Sequence, residues 1–269
     1  MQIVGFESGL DVLEYDLIDG TNNEPDVPHL ILEKNGELDR IYLEQGEFVD
    51  YKLGERRCAG SITNGVHESC GEDKVPYCIE HTNDWICARC TGNCDLPLPS
   101  CKEIHAVYIA GFSPSTFKVG VTRMSRLITR LKEQGARKAA HIETVSNGRT
   151  ARQIERGIAD KIKDRVISKE KINGIGQYVS EKEWNTIIAD YKTVKTFDLE
   201  YGFELEYPPI PAVILSGEII GIEGRFLILK ISNDNYAVDL RDLIGYEIEE
   251  GNQEISLQTS LRMVSKIEL

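Results

Sequence analysis

Seven cysteines, Cys58, Cys70, Cys78, Cys87, Cys90, Cys94 and Cys101, fall within 44 residues of a 269-residue chain, and none lies elsewhere. This stretch limits the fold more than any other. Its intervening Gly60, Gly65, Gly71 and Gly92, with Pro97 and Pro99, leave little room for regular structure, so metal coordination must substitute for a core there. No run approaches the roughly 18 apolar residues of a membrane span, and the start Met-Gln-Ile-Val-Gly-Phe-Glu lacks a secretory signal's basic and apolar segments. The expected address is cytoplasmic, with no membrane partner. Clustered thiols in that compartment are read as metal ligands before disulfides.

Cys87-Ala-Arg-Cys90 is a C-x2-C knuckle followed by Cys94 and Cys101, four thiols for one tetrahedral site. Cys58, Cys70, Cys78 and His81 offer a second set, with Cys78-Ile-Glu-His81 as a C-x2-H pair. Seven thiols and one imidazole make the eight ligands that two closed zinc sites require. Two structural Zn²⁺ ions are therefore expected, with no position kept open for water. Other partitions stay open: Cys78, His81, Cys87 and Cys90 form a compact alternative that leaves Cys58, Cys70, Cys94 and Cys101, and His67 could replace one ligand. Cys87, Cys90, Cys94 and Cys101 could instead hold an iron–sulfur cluster.

The net charge of −13 argues against a polyanionic partner until its distribution is read. Lys and Arg stand against Asp and Glu as 5 to 14 over residues 1–57, 3 to 7 over 58–104, 18 to 10 over 105–198 and 5 to 13 over 199–269. Within 118–138 the balance is 7 to 1. A Debye length of roughly 8 Å hides distant charge, so this local patch decides phosphate binding. Arg123, Arg126, Arg130, Arg137 and Lys138 are the candidate nucleic-acid contacts.

The periodicities predict an α+β chain. Residues 1–57 form an acidic, β-rich arm with a hairpin at Asn35-Gly36; 58–104 is the zinc-binding cysteine-rich segment; 105–205 is a central α/β module; and 206–269, entered through Pro208-Pro209-Ile-Pro211, is a small β-barrel or sheet that could pair with the arm. In the central module, strands over 107–110 and 117–121 flank a turn. Met124, Leu127, Ile128 and Leu131 then give the i, i+3, i+4, i+7 stripe of a helix with Arg123, Arg126 and Arg130 on its other side, and Gly135 is its expected C-cap. A third strand spans 139–145, Thr150 caps a helix carrying Glu155, Asn173 to Gly176 is a loop, and Ser180 to Glu183 is a capping box.

The order Tyr108, hairpin, Lys118-Val119-Gly120, arginine-bearing helix and early helical Glu155 resembles the GIY-YIG nuclease superfamily. The cysteine-rich segment joined to His-Ala-Val-Tyr-Ile-Ala at 105–110, Lys-Val-Gly-Val-Thr-Arg at 118–123 and Gln-Gly-Ala at 134–136 is similar to an archaeal and bacterial family of unknown function. The first resemblance implies that Tyr108 helps position an attacking water, that Arg130, with Arg126 in reserve, stabilises charge on phosphorus, and that Glu155 holds Mg²⁺ or Mn²⁺. Lys118 stands where that superfamily has a second tyrosine. A protonated lysine cannot act as a general base without a large pKa depression. Each residue also has a plainer role: Tyr108 as a strand aromatic, the arginines as a solvated face, Glu155 as a partner of Arg152 or Arg156, His105 as a packed histidine.

Three functions follow as expectations: a nuclease on DNA or RNA with zinc as staple, a non-catalytic binder of structured RNA or a ribosome, and an adaptor that meets proteins through its acidic flanks.

Overall fold

The computed structural model of the chain describes residues 1–7, 27–63, 65–82, 93–96 and 98–251. Its described residues divide into two compact units, those within 1–7, 27–82 and 209–251 forming one and those within 93–208 the other. The arm and the C-terminal strands thus fall in one unit, the segment expected over 58–104 is divided between the two, and one seam lies inside the proline run at 208–209. No helix among the described residues is long and apolar enough to cross a membrane.

The first unit begins with β1 (Gln2–Glu7), β2 (His29–Lys34), β3 (Glu37–Tyr42), β4 (Phe48–Arg56) and the short hairpin β5 (Ser61–Thr63) and β6 (Val66–Glu68). The turn between β2 and β3 is Asn35-Gly36, with φ of 55° and 86°, the left-handed pair that a two-residue hairpin demands. The second unit follows with β7 (His105–Ser113), β8 (Thr116–Arg123), α1 (Leu127–Glu133), β9 (Lys138–Val145), α2 (Gly148–Ala159), α3 (Ser168–Gly174), α4 (Glu181–Ile188) and β10 (Lys195–Asp198). The chain then returns to the first unit with β11 (Ile210–Pro211), β12 (Leu215–Glu223), β13 (Phe226–Ile231), β14 (Asp234–Asp239), α5 (Leu240–Leu243) and β15 (Tyr246–Glu250).

In the first unit the N-terminal arm and the C-terminal strands share one nine-stranded sheet, ordered β11-β14-β13-β12-β4-β15-β1-β2-β3. Alone, β1 to β3 would leave Ile3, Leu30 and Leu32 facing water. Joined, these pack with Val49, Leu215, Ile219, Leu227, Leu229 and Ile248 in a single core, and burial of that apolar area drives the pairing.

The second unit is built on an antiparallel sheet ordered β10-β9-β7-β8. Every residue of the inner strand β7 is buried, and its side chains alternate between two cores. Val107 and Ile109 pack with Ala151, Ile162 and Trp184 on one side, while Ala106, Tyr108 and Ala110 pack with Leu127 and Leu131 on the other. The predicted apolar stripe therefore docks α1, after one 3-10 turn over Met124–Arg126, and Gly135 at φ 73° ends it. Two local details differ from the sequence reading. Asn147, not Thr150, caps α2, its Oδ1 accepting from the Thr150 N–H at 2.9 Å. Helix α3 takes Asn173 and Gly174 from the loop expected at 173–176, and it presses against β7 so closely that a Cβ on Gly174 would sit 2.6 Å from that of Ser113.

Candidate functional site

Cys58, Cys70, Cys78 and His81 of the first unit bring their ligand atoms together, all within 4.8 Å of one another. His81 Nδ1 lies 3.2 Å from Cys78 Sγ and 3.5 Å from Cys58 Sγ, and Cys70 Sγ lies 3.9 Å from Cys78 Sγ. A tetrahedral ion with bonds of about 2.3 Å to sulfur and 2.0 Å to nitrogen sets these edges at roughly 3.8 and 3.5 Å. Three thiols and an imidazole at this spacing could hold a metal ion. The local fold turns backbone donors onto the sulfurs, since the Cys78 and Gly60 N–H groups donate to Cys58 Sγ at 3.2 and 3.5 Å. Only glycine serves at position 60, where φ is 69° and a Cβ would lie 2.0 Å from the Glu68 carbonyl oxygen. Burial pushes the Cys78 thiol up, but the His81 and Glu80 backbone groups, the His81 ring and Cys58 together bring it down to about 7, toward the thiolate a metal binds.

This is the first of the partitions read from the sequence; Cys78 and His81 meet Cys58 and Cys70. His67 is spent elsewhere, with Nε2 2.7 Å from the Ala59 carbonyl oxygen. Of the downstream set, Cys87 and Cys90 lie outside the described residues, while Cys94 and Cys101 are half-buried.

The second unit carries a polar cluster at the edge strand β8. Tyr108 pairs across β7 and β8 with Gly120, where a Cβ would meet its Cζ and Oη at 2.6 Å; the glycine of Lys118-Val119-Gly120 makes room for the ring. Gln134, just past α1, donates from Nε2 to Tyr108 Oη at 2.6 Å and to the Arg130 carbonyl at 3.1 Å. Burial raises the Tyr108 phenol above its ordinary value. Lys118 lies two residues from Gly120 and so projects from the same face. Arg130, Arg152 and Glu155 lie close enough to act on both Tyr108 and Lys118.

The Lys118 side chain is partly buried and makes no hydrogen bond or ion pair among the described residues. Burial first, and then the Arg130 guanidinium, push its amine down to about 8. Glu155 is buried on α2, and its Oε2 accepts from Arg152 Nη1 at 2.7 Å. The carboxylate expected to hold Mg²⁺ or Mn²⁺ is thus engaged by a guanidinium, the plainer of its two roles. The residues here suit a divalent ion poorly, since such an ion is held by one or two available carboxylates and Glu155 is already paired with Arg152.

The other candidate cations are matched in part. Glu133 accepts from Arg126 at 2.6 Å and from Arg130 at 3.0 Å, and Arg123 reaches Glu103 at 3.3 Å. Lys138 lies between Glu181 and Asp198, and Arg137 stacks 5.8 Å over the Tyr201 ring. The solvated cationic face of the sequence reading is therefore laced with carboxylates. A cavity of about 820 Å³ beside Arg137 and Lys138 is lined by Tyr178, Tyr201 and Phe203, but its carboxylates, Glu181, Asp198, Glu200 and Glu204, outnumber its two cations. His105 is packed, with Nδ1 2.8 Å from the Glu103 carbonyl oxygen. Gln134 and Arg152 were not among the sequence candidates for the site; the one signal was the spacing that set Arg152 three residues before Glu155.

No curated protein and no solved structure matches the chain. Residues 87–248, more than half of it, match the family described as "Protein of unknown function (DUF2797)". The chain belongs to that family.

Proposed function

We propose that the protein binds nucleic acid through its second unit, seating a backbone phosphate on Lys118, Arg130 and Arg152, while zinc bound by Cys58, Cys70, Cys78 and His81 fastens the irregular stretch of the first. One observation carries this reading: the Lys118 ammonium is partly buried near Arg130 and Arg152 and makes no ion pair among the described residues, the Glu155 and Asp164 carboxylates acting on it only from beyond ion-pair distance. A buried cation left unpaired is costly, and groups perturbed by burial beside specific charges are enriched at functional sites. An oxyanion supplies the missing counter-charge, and a phosphate is the one that a basic run of 7 to 1 would attract. The hairpin carrying Tyr108 and Lys118-Val119-Gly120 and the arginine-bearing helix after it also support likeness to GIY-YIG nucleases.

Cleavage is a second reading, favoured by the Lys118 amine near 8. A lysine partly neutral at working pH could accept a proton from water where the superfamily uses tyrosine. The test is labelled single-stranded, duplex and branched DNA and RNA incubated with the protein, scoring retention and cleavage together. Retention lost in Lys118→Met supports binding, and cleavage lost in the same variant supports the nuclease. Strands neither retained nor cut would refute both.

A further inference from the structure

The polar cluster of the second unit differs from a metal-assisted phosphate site in its charge. Lys118, Arg126, Arg130 and Arg152 stand there against Glu133, Glu155 and Asp164. Both glutamates are engaged, Glu133 bridging Arg126 and Arg130 and Glu155 accepting from Arg152 at 2.7 Å, and the remaining carboxylate, Asp164, is exposed on the loop after α2. A dication approaching Glu155 would displace a guanidinium and face Lys118. An oxyanion instead finds an ammonium that makes no ion pair among the described residues, with Glu155 and Asp164 acting on it from farther away, and two guanidinium groups that each spend one nitrogen on a carboxylate. A guanidinium has five N–H donors, so Arg130 and Arg152 keep donors for a ligand after making those bonds. Glu155 holds Arg152 in place, as carboxylates hold guanidinium forks.

We propose that this cluster binds the phosphate group of a nucleotide chain directly on Lys118, Arg130 and Arg152, with no divalent cation between protein and phosphate. The inference rests on the nucleic-acid reading for its substrate and on the Arg152–Glu155 pair for its metal independence.

The test is calorimetry of the full-length, zinc-loaded protein in buffer free of Mg²⁺ and Mn²⁺, with no chelator, which would strip the cysteine site. Inorganic phosphate and a short oligonucleotide are titrated separately, each then repeated with millimolar Mg²⁺ or Mn²⁺. Both ligands are expected to bind in the metal-free buffer, with affinities changed less than about threefold by either ion, a shift of under 1 kcal/mol. Arg152→Gln is expected to weaken both by about tenfold or more, the loss of one charge-assisted hydrogen bond. Binding that appears only with Mg²⁺ or Mn²⁺ would overturn the metal-free site and leave the nucleic-acid reading standing. Phosphate binding without any oligonucleotide binding would keep the anion site and overturn the nucleic-acid reading. No binding of either ligand would overturn both.

Discussion

Replacing Lys118 with methionine keeps an apolar stem on β8 and removes its charge, and the structure fixes the sign and size of the effect. The amine falls from its ordinary 10.5 to about 8, first through burial and then through Arg130. At 1.36 kcal/mol per pKa unit that is about 3 kcal/mol, or about 2 after allowance for solvent reaching a partly exposed group. In the unfolded chain the amine keeps its ordinary value. Between pH 8 and 10.5 the unfolded state therefore holds a proton that the native state has lost, and stability rises with pH across that window. Below pH 8 both states are charged, and the cost of the buried ammonium is fully present. Lys118→Met is thus expected to be more stable than the natural protein by about 2 kcal/mol at pH 7, with the gap closing toward zero by pH 10.5. Urea unfolding at a series of pH values measures it, with Trp184, packed 6.2 Å from Phe117, as fluorescent reporter. A gap that stays constant with pH, or a variant less stable at pH 7, would refute the burial of an unpaired charge at this position.

Other consequences follow from particular contacts. Cys78→Ser should lower the zinc content by one ion per chain, measured by atomic emission, and should reduce the melting temperature. Gly120→Ala places a methyl 2.6 Å from the Tyr108 ring and should cost about 1–3 kcal/mol by overpacking, read in urea, while also weakening oligonucleotide affinity. Leu131→Ala removes a side chain with no exposure and should cost about 2–5 kcal/mol on the same scale. Asn147→Ala deletes the cap on the Thr150 N–H and should cost about 1 kcal/mol, seen as a lower thermal midpoint.

Local features of this fold were legible in the sequence because local chemistry makes them. Asn35-Gly36 demands the hairpin between β2 and β3, and the stripe of Met124, Leu127, Ile128 and Leu131 demands a helix. The spacing Cys78-Ile-Glu-His81 sets a thiol and an imidazole side by side, and Cys58 and Cys70 complete a group that could hold a metal ion. Long-range pairing leaves no comparable trace. Gln2 pairs with Glu247 in the sheet, and neither residue announces the other, because the area buried by joining the arm to the C-terminal strands is known only once both sheets are built. Helix α3 claims Asn173 and Gly174, the first half of the loop expected at 173–176, although both are poor helix formers and its N-cap, Ile167, supplies no side-chain cap. Its contact with Ser113 compensates, through the same glycine that weakens the helix. At the polar cluster, Tyr108, Lys118 and Glu155 were found by their order along the chain. Gln134 was not, since it was read only as the end of α1, and its bond to Tyr108 spans 26 residues.

The central claim is that Lys118, Arg130 and Arg152 seat a backbone phosphate. The most direct measurement is the salt dependence of oligonucleotide affinity for the natural protein and for Arg130→Ala, by fluorescence anisotropy. The account predicts a logarithmic slope for the natural protein that becomes shallower by about 0.7–0.9 when one phosphate contact is removed. Identical slopes for the two proteins, or no binding at low salt, would contradict it.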